Sequence, residues 1–254
     1  MDSIDWLVGR WKKSNLCEGD TVLLHSDIIR TLKLMKINGF RPSVSDILES
    51  YLKTIGENGT LLLPSFNFDF ADGKTFDILN TVSQSGALSE FARKRDGVIR
   101  TGHPVYSFLI IGKDAKKFEC LDNYSAYGNN SPFDILKKLN GKIAVLDVEE
   151  NTSMTFYHHV EEILQVSYRY EKVFEAKYID IKRLETNKCY SIYVRNLEIG
   201  VETYLNPIGE LLWKENIYFG SRPNIENGLR IADANKIFDF VENIIQENQG
   251  LDLM

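Results

Sequence analysis

The chain has 254 residues, of which 43% are hydrophobic and 26% are charged, so one or two ordinary globular domains are expected. Its formal net charge of -6 and its lack of basic runs disfavour a nucleic-acid partner. No apolar run approaches the roughly 20 residues of a membrane span, and the first residues carry no secretory signal pattern. A membrane partner is therefore not expected.

The first predicted strand, Thr21 to Leu24, leads through the polar turn His25-Ser26-Asp27 into a helix. That helix is predicted from Ile28 to Met35, where apolar residues recur at helical spacing. A Ser/Asp pair at a strand-to-helix turn is typical of an N-cap, and a helix N-terminus can also hold a phosphate. The residues leave both interpretations open.

An amphipathic helix, Val44 to Ile55, precedes the next predicted strand, Gly59 to Pro64. The following segment, Ser65 to Thr81, is long, polar and aromatic, and connections of this length are often functional. Its acidic residues could form a pocket wall for an amine, or they could serve turn chemistry. These residues are Asp69, Asp72 and Asp77.

A lone histidine, His103, precedes Pro104 and stands at the mouth of the predicted strand Phe108 to Ile111. The proline holds the preceding residue extended. A histidine in such a place can line a site, although a structural role is also common. The sequence does not decide between these roles.

Two adjacent histidines follow the predicted buried strand Gly141 to Val148, and each has a glutamate three residues later. If Asn151 to Glu162 is one helix, Thr155, His158 and Glu161 share a face. A carboxylate can fix the tautomer of an imidazole and stabilise its cation, so the pattern suits a general-base pair. An exposed ion pair fits the same spacing. A metal site is disfavoured, since no His-Glu-x-x-His or Cys-x-x-Cys occurs.

The rest of the chain predicts a tyrosine-rich strand, Cys189 to Arg195, and a terminal helix from about Ala234 to Glu247. No repeat or linker divides residues 1–254, which predicts a single α/β domain with an α+β C-terminal portion. Dinucleotide, P-loop and serine-hydrolase motifs are absent. Three widely separated cysteines, at 17, 120 and 189, suit reduced thiols and a cytoplasmic location.

A series of short motifs, taken in chain order, resembles the aminoglycoside 3-N-acetyltransferase family. The similarity extends from about residue 5 to residue 247. The motifs are Leu24-His25-Ser26, Gly59-Thr60 through Phe66, Gly86 to Arg93, Arg100 to Ser107, Ser131-Pro132-Phe133, Thr155-x-x-His158-x-x-Glu161, Val166 to Arg169 and the terminal helix.

This resemblance implies an acetyl-CoA-dependent N-acetyltransferase with a mixed central sheet flanked by helices, unlike the commoner acetyltransferase superfamily. It implies His158 as the general base and Glu161 as its partner. Thr155, Ser107 or backbone N–H groups are candidate donors to the acyl oxygen. No metal is expected, because no spacing supplies three or four ligands. The residues expected at acetyl-CoA are His25, Ser26, Asp27, Arg30, Thr31, Ser107 and Phe108. The residues expected at the acceptor are Asp69, Asp72, His103, His159 and Arg169.

The run from Thr155 to Glu162 and the segment Tyr168 to Lys172 look more like a branch found with surface-polysaccharide genes. The expected acceptor is therefore a nucleotide-linked amino sugar. The alternatives are an aminoglycoside resistance enzyme and a binding protein without activity. The last should have lost His158 or Glu161, and both are present. Asp147 departs from the glycine of many members, and the oligomeric state stays open, a homodimer included.

Overall fold

The computed structural model of the chain describes residues 1–119, 121–202 and 204–248. The helices are α1 (Ser3–Lys12), α2 (Ile29–Ile37), α3 (Val44–Ile55), α4 (Ala87–Arg93), α5 (Pro132–Lys138), α6 (Glu150–Ser153), α7 (Phe156–Ile163), α8 (Asn206–Lys214) and α9 (Ala234–Asn248). The strands are β1 (Thr21–Ser26), β2 (Thr60–Pro64), β3 (Phe76–Asp77), β4 (Ile99–Arg100), β5 (Phe108–Gly112), β6 (Lys142–Leu146), β7 (Arg169–Ile179), β8 (Glu185–Arg195), β9 (Phe219–Gly220) and β10 (Leu229–Asp233).

A central sheet of seven strands has the order β4-β5-β2-β1-β6-β10-β9. Strand β1 is parallel to both of its neighbours, β2 and β6, whereas the outer strands pair antiparallel. Alternate residues of these strands enter hydrophobic cores on the two faces, with Leu23 in one core and Leu24 in the other. The predicted α/β class with a mixed central sheet flanked by helices is confirmed.

A smaller sheet consists of β3, β7 and β8. Strands β7 and β8 form a long antiparallel hairpin whose register pairs Arg169 with Arg195 at its base. The C-terminal portion of the chain thus combines this hairpin with helices, while β10 returns to the central sheet. The hairpin places residues from its base beside α7.

The order of the central strands creates a crevice at one edge of the sheet. Strand β1 connects onward to β2 on one side, while β6 lies on its other side, so the strand order reverses at β1. In open α/β sheets, ligands bind outside the carboxyl ends of strands at such a switch point. The residues that follow β1, β2 and β6 therefore meet where a site is expected.

The segment predicted as one helix from Asn151 to Glu162 is divided in two. Helix α6 ends at Ser153 and α7 begins at Phe156, since Met154 has a non-helical ψ of 57°. Thr155 is consequently the residue that precedes α7 rather than a member of a continuous helix. His158 and Glu161 remain on one helix, α7, with the predicted spacing.

A buried ion pair connects α6 and α7 to the central sheet. Arg230 of β10 is 2% exposed; it lies 3.0 Å from Glu150 and donates a hydrogen bond of 2.7 Å to the Val148 carbonyl. The hydroxyls of Tyr157 and Tyr218 both donate to the Glu150 carboxylate. The segment that leads into α7 is therefore held by side chains distant in sequence.

No helix within the described ranges has the length and hydrophobicity needed to cross a membrane.

We predict that Arg230→Met destabilises the protein by about 3–5 kcal/mol, because it leaves the buried Glu150 charge without its cation. Urea denaturation followed by circular dichroism measures this change. Arg222→Met is the matched control: its partner Glu210 is exposed, so the loss should stay below about 1 kcal/mol. Equal losses in the two variants would contradict the structural role given to Arg230.

Candidate active site

A cavity of about 350 Å³ lies at the switch point of the central sheet, and we call it the sheet-edge cavity. Its wall is formed by residues at the carboxyl ends of β1 and β2 and by the residue before α7. These residues include Leu24, His25, Ser26, Pro64, Phe66 and Thr155. The ends of β1 and β2 both contribute to this wall, so the crevice expected from the sheet topology is present.

Two polar atoms of the sheet-edge cavity are buried without a hydrogen-bond partner among the described residues. They are Nε2 of His25 and Oγ1 of Thr155. Burial, with a smaller contribution from the charge of Arg230, lowers the pKa of His25 to about 3, so its imidazole is neutral. Buried polar groups normally have partners, so these atoms are suited to meeting a ligand.

A second cavity, of about 360 Å³, contains His158, and we call it the His158 cavity. Its wall includes side chains of α7, the β7–β8 hairpin and two loops: Tyr106, Tyr127, His158, Arg169, Tyr193 and Arg195. Tyr106 also lines the sheet-edge cavity. The two cavities are therefore adjacent.

His158 and Glu161 form the predicted pair. Nδ1 of His158 lies 2.7 Å from Oε2 of Glu161, and the same oxygen lies 2.8 Å from Nε of Arg169. The side chain of Glu161 is 1% exposed, whereas that of His158 is 17% exposed. Since a carboxylate only accepts, Nδ1–H donates to Glu161 and Nε2 carries the free lone pair.

The electrostatic surroundings leave the imidazole neutral and its partner charged. Burial and the charge of Arg169 lower the pKa of His158, although Glu161 acts in the opposite direction. Burial by itself raises the pKa of Glu161, but His158 and Arg169 outweigh it, so the net pKa is lowered. A neutral imidazole beside an ionised, buried carboxylate is the arrangement of a general base.

His159 and His103, predicted at the acceptor, both lie in the packed interior. His159 is 1% exposed, its Nδ1 lies 2.5 Å from the carbonyl oxygen of Tyr127, and its ring packs against Phe133 and Phe238. His103 is 0% exposed. Neither histidine lines the sheet-edge cavity or the His158 cavity, and their role at the acceptor stays a prediction.

Arg169 was also predicted at the acceptor. Its guanidinium pairs with Glu161 and belongs to the wall of the His158 cavity. The positive charge of Arg169 is therefore partly neutralised by Glu161. After His158, the charge of Arg169 also contributes to lowering the pKa of Glu161.

Residues expected near acetyl-CoA are only partly brought together. His25 and Ser26 line the sheet-edge cavity. Ser107 is fully buried and donates to the Ser65 carbonyl, and Phe108 is a core residue packed against Phe66. The side chains of Ser107 and Phe108 are thus occupied inside the fold, and their contact with acetyl-CoA stays a prediction.

The turn after β1 is likewise occupied by the protein's own groups. The carboxylate of Asp27 accepts a hydrogen bond from the Ile29 N–H at the start of α2, which places negative charge where a phosphate was expected. Arg30 pairs with Asp147 at 3.1 Å, and Thr31 is fully buried. The polar groups of this turn thus contact the protein itself, and a role near the phosphates of acetyl-CoA stays a prediction.

The two aspartates expected to face an amine lie on a short 3-10 helix, Phe68–Asp72. Asp69 pairs with Lys74 at 3.2 Å, and Asp72 is exposed. Neither belongs to the wall of the sheet-edge cavity or of the His158 cavity. The acidic pocket wall is not formed by these residues.

In the described part of the chain, no group of three or more His, Cys, Asp or Glu side chains is arranged to hold a metal ion.

Several residues of the His158 cavity were not identified from the sequence as site residues, and Tyr106, Tyr127 and Arg195 are among them. Tyr106 and Tyr127 lie in loops, and Arg195 ends β8. The aromatic residue two positions after His103-Pro104 was a usable signal for Tyr106. Arg195 carries no local signal, because it reaches α7 only through the hairpin.

We predict that the imidazole of His158 titrates below 6.5, its unperturbed pKa, so that activity present at pH 7 is lost as the pH falls through that lowered value. Arg169→Gln should raise this pKa, because a repelling charge is removed. Glu161→Gln should lower it further, because the stabilising charge is lost. Proton NMR of the four histidines measures the midpoints, with His103, whose pKa is about 4, as internal reference. Shifts in the reverse directions would contradict the assigned pairing.

Comparison with known proteins identifies the family. A family model described as aminoglycoside 3-N-acetyltransferase matches residues 24–246. Aminoglycoside acetyltransferase AAC(3)-Xa has a similar fold, with a TM-score of 0.81 and 20% identity over 96% of this chain and 92% of that chain. AAC-IIIb in a binary complex with CoASH has a TM-score of 0.80 and 20% identity over 96% of each chain.

Sisomicin-bound AAC-VIa has a TM-score of 0.80 and 19% identity, over 96% of this chain and 97% of that chain. These structures share the fold, while the family model covers most of the sequence. The chain therefore belongs to the aminoglycoside 3-N-acetyltransferase family and is an acetyl-CoA-dependent acyltransferase.

Proposed function

We propose that the protein transfers the acetyl group of acetyl-CoA directly to an amine of an amino sugar, with His158 as the general base. The observation that carries this proposal is the His158–Glu161–Arg169 arrangement. It combines a neutral, partly exposed imidazole with a buried carboxylate held ionised by an arginine. A sugar amine is largely protonated at pH 7, so its lone pair must be freed by such a base.

The sheet-edge cavity is the proposed place of the acetyl-bearing arm of acetyl-CoA. Its wall combines apolar surface from Leu24, Pro64 and Phe66 with the unpaired atoms His25 Nε2 and Thr155 Oγ1. A flexible thioester arm needs this mixture of apolar contact and a few polar partners. The residues present therefore fit the co-substrate, and AAC-IIIb, which has a similar fold, is known in a binary complex with CoASH.

The acceptor amine would bind in the His158 cavity and lose its proton to Nε2 of His158. The resulting imidazolium is stabilised by Glu161 through Nδ1–H. The amine lone pair then forms the C–N bond at the thioester carbonyl. Thr155 Oγ–H is the proposed donor to the developing oxyanion, because this atom is buried and otherwise without a partner among the described residues.

Collapse of the tetrahedral intermediate breaks the C–S bond, and the imidazolium gives its proton to the leaving thiolate. The regenerated imidazole then takes the second proton from the nitrogen and passes it to solvent, which leaves a neutral amide. No acyl-enzyme is required. Cys17 and Cys189 are free thiols that line neither cavity, which suits direct transfer. They also suit the reducing cytoplasm, which we propose as the location.

The composition of the His158 cavity supports a nucleotide-linked amino sugar, as used for surface polysaccharide, as the acceptor. Its wall contains Arg169 and Arg195 and, among the described residues, no carboxylate. Arg195 is exposed, and its positive charge contributes to lowering the pKa of His158. A phosphate-bearing acceptor would find a partner there, whereas a polycation would meet repulsion.

An aminoglycoside is the second candidate acceptor. It is favoured by the fold shared with sisomicin-bound AAC-VIa and by the family to which the chain belongs. A polycationic antibiotic would need carboxylates near His158, and Asp69 and Asp72 lie outside that cavity. Direct competition between the two acceptor classes decides between them.

His158→Ala should lower kcat by roughly 10²–10⁴-fold, the usual contribution of a general base. The Kd of acetyl-CoA should change little, because His158 lies outside the sheet-edge cavity. Steady-state kinetics and isothermal titration calorimetry measure the two quantities. His159→Ala is the adjacent control; it should cost stability but retain most of kcat in the folded fraction. Inactivity of His159→Ala with a normal His158→Ala would reverse the assignment.

Arg195→Gln should raise KM for a nucleotide-linked amino sugar roughly tenfold, the loss of one charge-assisted hydrogen bond. It should not raise KM for glucosamine, which carries no phosphate, and it should lower KM for the polycationic sisomicin, because repulsion is relieved. Mass spectrometry of the acetylated products measures each reaction. Lys172→Gln is the control, since Lys172 is an exposed cation of the same hairpin outside the cavity. Faster acetylation of sisomicin than of every nucleotide-linked amino sugar by the wild type would favour the second candidate.

A further inference from the structure

Tyr106 is the described residue that lines both the sheet-edge cavity and the His158 cavity. It comes from the loop between β4 and β5, whereas Thr155 and His158 come from the start of α7. Thr155 belongs to the first cavity and His158 to the second. Tyr106 therefore lies between the proposed acetyl-CoA cavity and the proposed acceptor cavity, where the acetyl group would be transferred.

Aromatic contacts hold this ring from both sides. Its centroid lies 4.7 Å from that of Phe66 and 5.8 Å from that of Phe68, which both line the sheet-edge cavity. On the other side it lies 4.8 Å from Tyr127, whose ring is 5.2 Å from that of His158. A continuous aromatic row thus crosses from one cavity to the other.

The backbone of Tyr106 is fixed by a buried histidine. The Tyr106 N–H donates a hydrogen bond of 3.0 Å to Nδ1 of His103. Nε2 of His103 lies 3.2 Å from the carbonyl oxygen of Ser191 in β8 and donates to it. This geometry requires neutral His103 with its proton on Nε2. Burial lowers its pKa to about 4, which is consistent with that form.

We propose that Tyr106 is a partition between the donor and acceptor cavities that couples thioester cleavage to amine acetylation. The inference rests on the proposed acetyl transfer. With the ring in place, the thioester carbonyl and the amine meet beside Tyr106, whose ring occupies space between the two cavities that water would otherwise fill. Tyr106 is therefore a positioning residue, and His103 acts through it by fixing its backbone to β8.

Removal of the Tyr106 ring should allow water to hydrolyse the thioester. Without the ring, water can take the place of the amine beside His158. The water oxygen then forms a bond to the carbonyl carbon as His158 accepts its proton, and the C–S bond breaks. The products are acetate and the CoA thiol, so thiol is released without acetylated acceptor.

The test compares thiol release with acetylated product in the full-length protein. A thiol-reactive dye measures CoA, and mass spectrometry measures the acetylated acceptor, in the wild type and in Tyr106→Ala. The wild type should release one thiol per product. Tyr106→Ala should release thiol in excess of product, and the excess should disappear when His158→Ala is added. Tyr106→Phe should keep the ratio of the wild type, because it preserves the ring.

Phe68→Ala is the matched control. Phe68 lines the sheet-edge cavity but not the His158 cavity, so its removal widens one cavity without joining the two. Its ratio of thiol to product should stay at one even if its rate changes. Tyr106→Leu gives a second truncation with the same expected excess should the alanine variant fail to fold.

A ratio of one in both truncated variants, or an equal loss of thiol and product, would overturn the partition while leaving the proposed function intact. Failure of the wild type to acetylate any amino sugar would instead overturn the proposed function. The two failures are therefore distinguishable.

Discussion

The buried carboxylate of Glu161 is the interaction on which the site depends. An ionised carboxylate at 1% exposure is costly unless opposite charge and hydrogen-bond donors surround it. His158 of α7 and Arg169 of β7 both contact the same oxygen, so the hairpin must dock against α7 for the charge to be tolerated. The same contacts lower the pKa of Glu161, whereas burial and the charge of Arg169 keep the imidazole of His158 neutral against the opposing effect of Glu161. The need to compensate the buried charge of Glu161 therefore determines how the hairpin packs on α7 and which form of His158 is present.

Burial distributes different tasks among the four histidines. His25, His103 and His159 are each buried and have lowered pKa values, so all three are neutral hydrogen-bonding groups near neutral pH. Only His158 combines a carboxylate partner with a partly exposed ring. The proposed proton transfer is therefore assigned to His158, whose ring is partly exposed and lines a cavity. The buried ones organise the surrounding walls, as His103 does for the loop of Tyr106.

The reversal of strand order at β1 brings the pieces of the site together. Strand ends distant in sequence meet at the sheet-edge cavity, and the divided segment α6–α7 carries Thr155 and His158 from that cavity into the next. The ion pair between Glu150 and Arg230 holds this segment to β10. Helix α7 has only 8 residues, so its position depends on these long-range contacts rather than on its own stability.

The sequence by itself determined the local features: helix Val44–Ile55, the strand cores, the i,i+3 pairing of His158 with Glu161 and, through ordered motifs, the family. These follow from hydrophobic periodicity and short-range spacing, which residues encode locally. Only the tertiary structure decided which polar residues face a cavity. It buried Ser107 and His159, brought Arg169 and Arg195 to α7 and placed Tyr106 between two cavities. Such contacts join segments far apart in the chain, and they depend on packing and burial that no local pattern records.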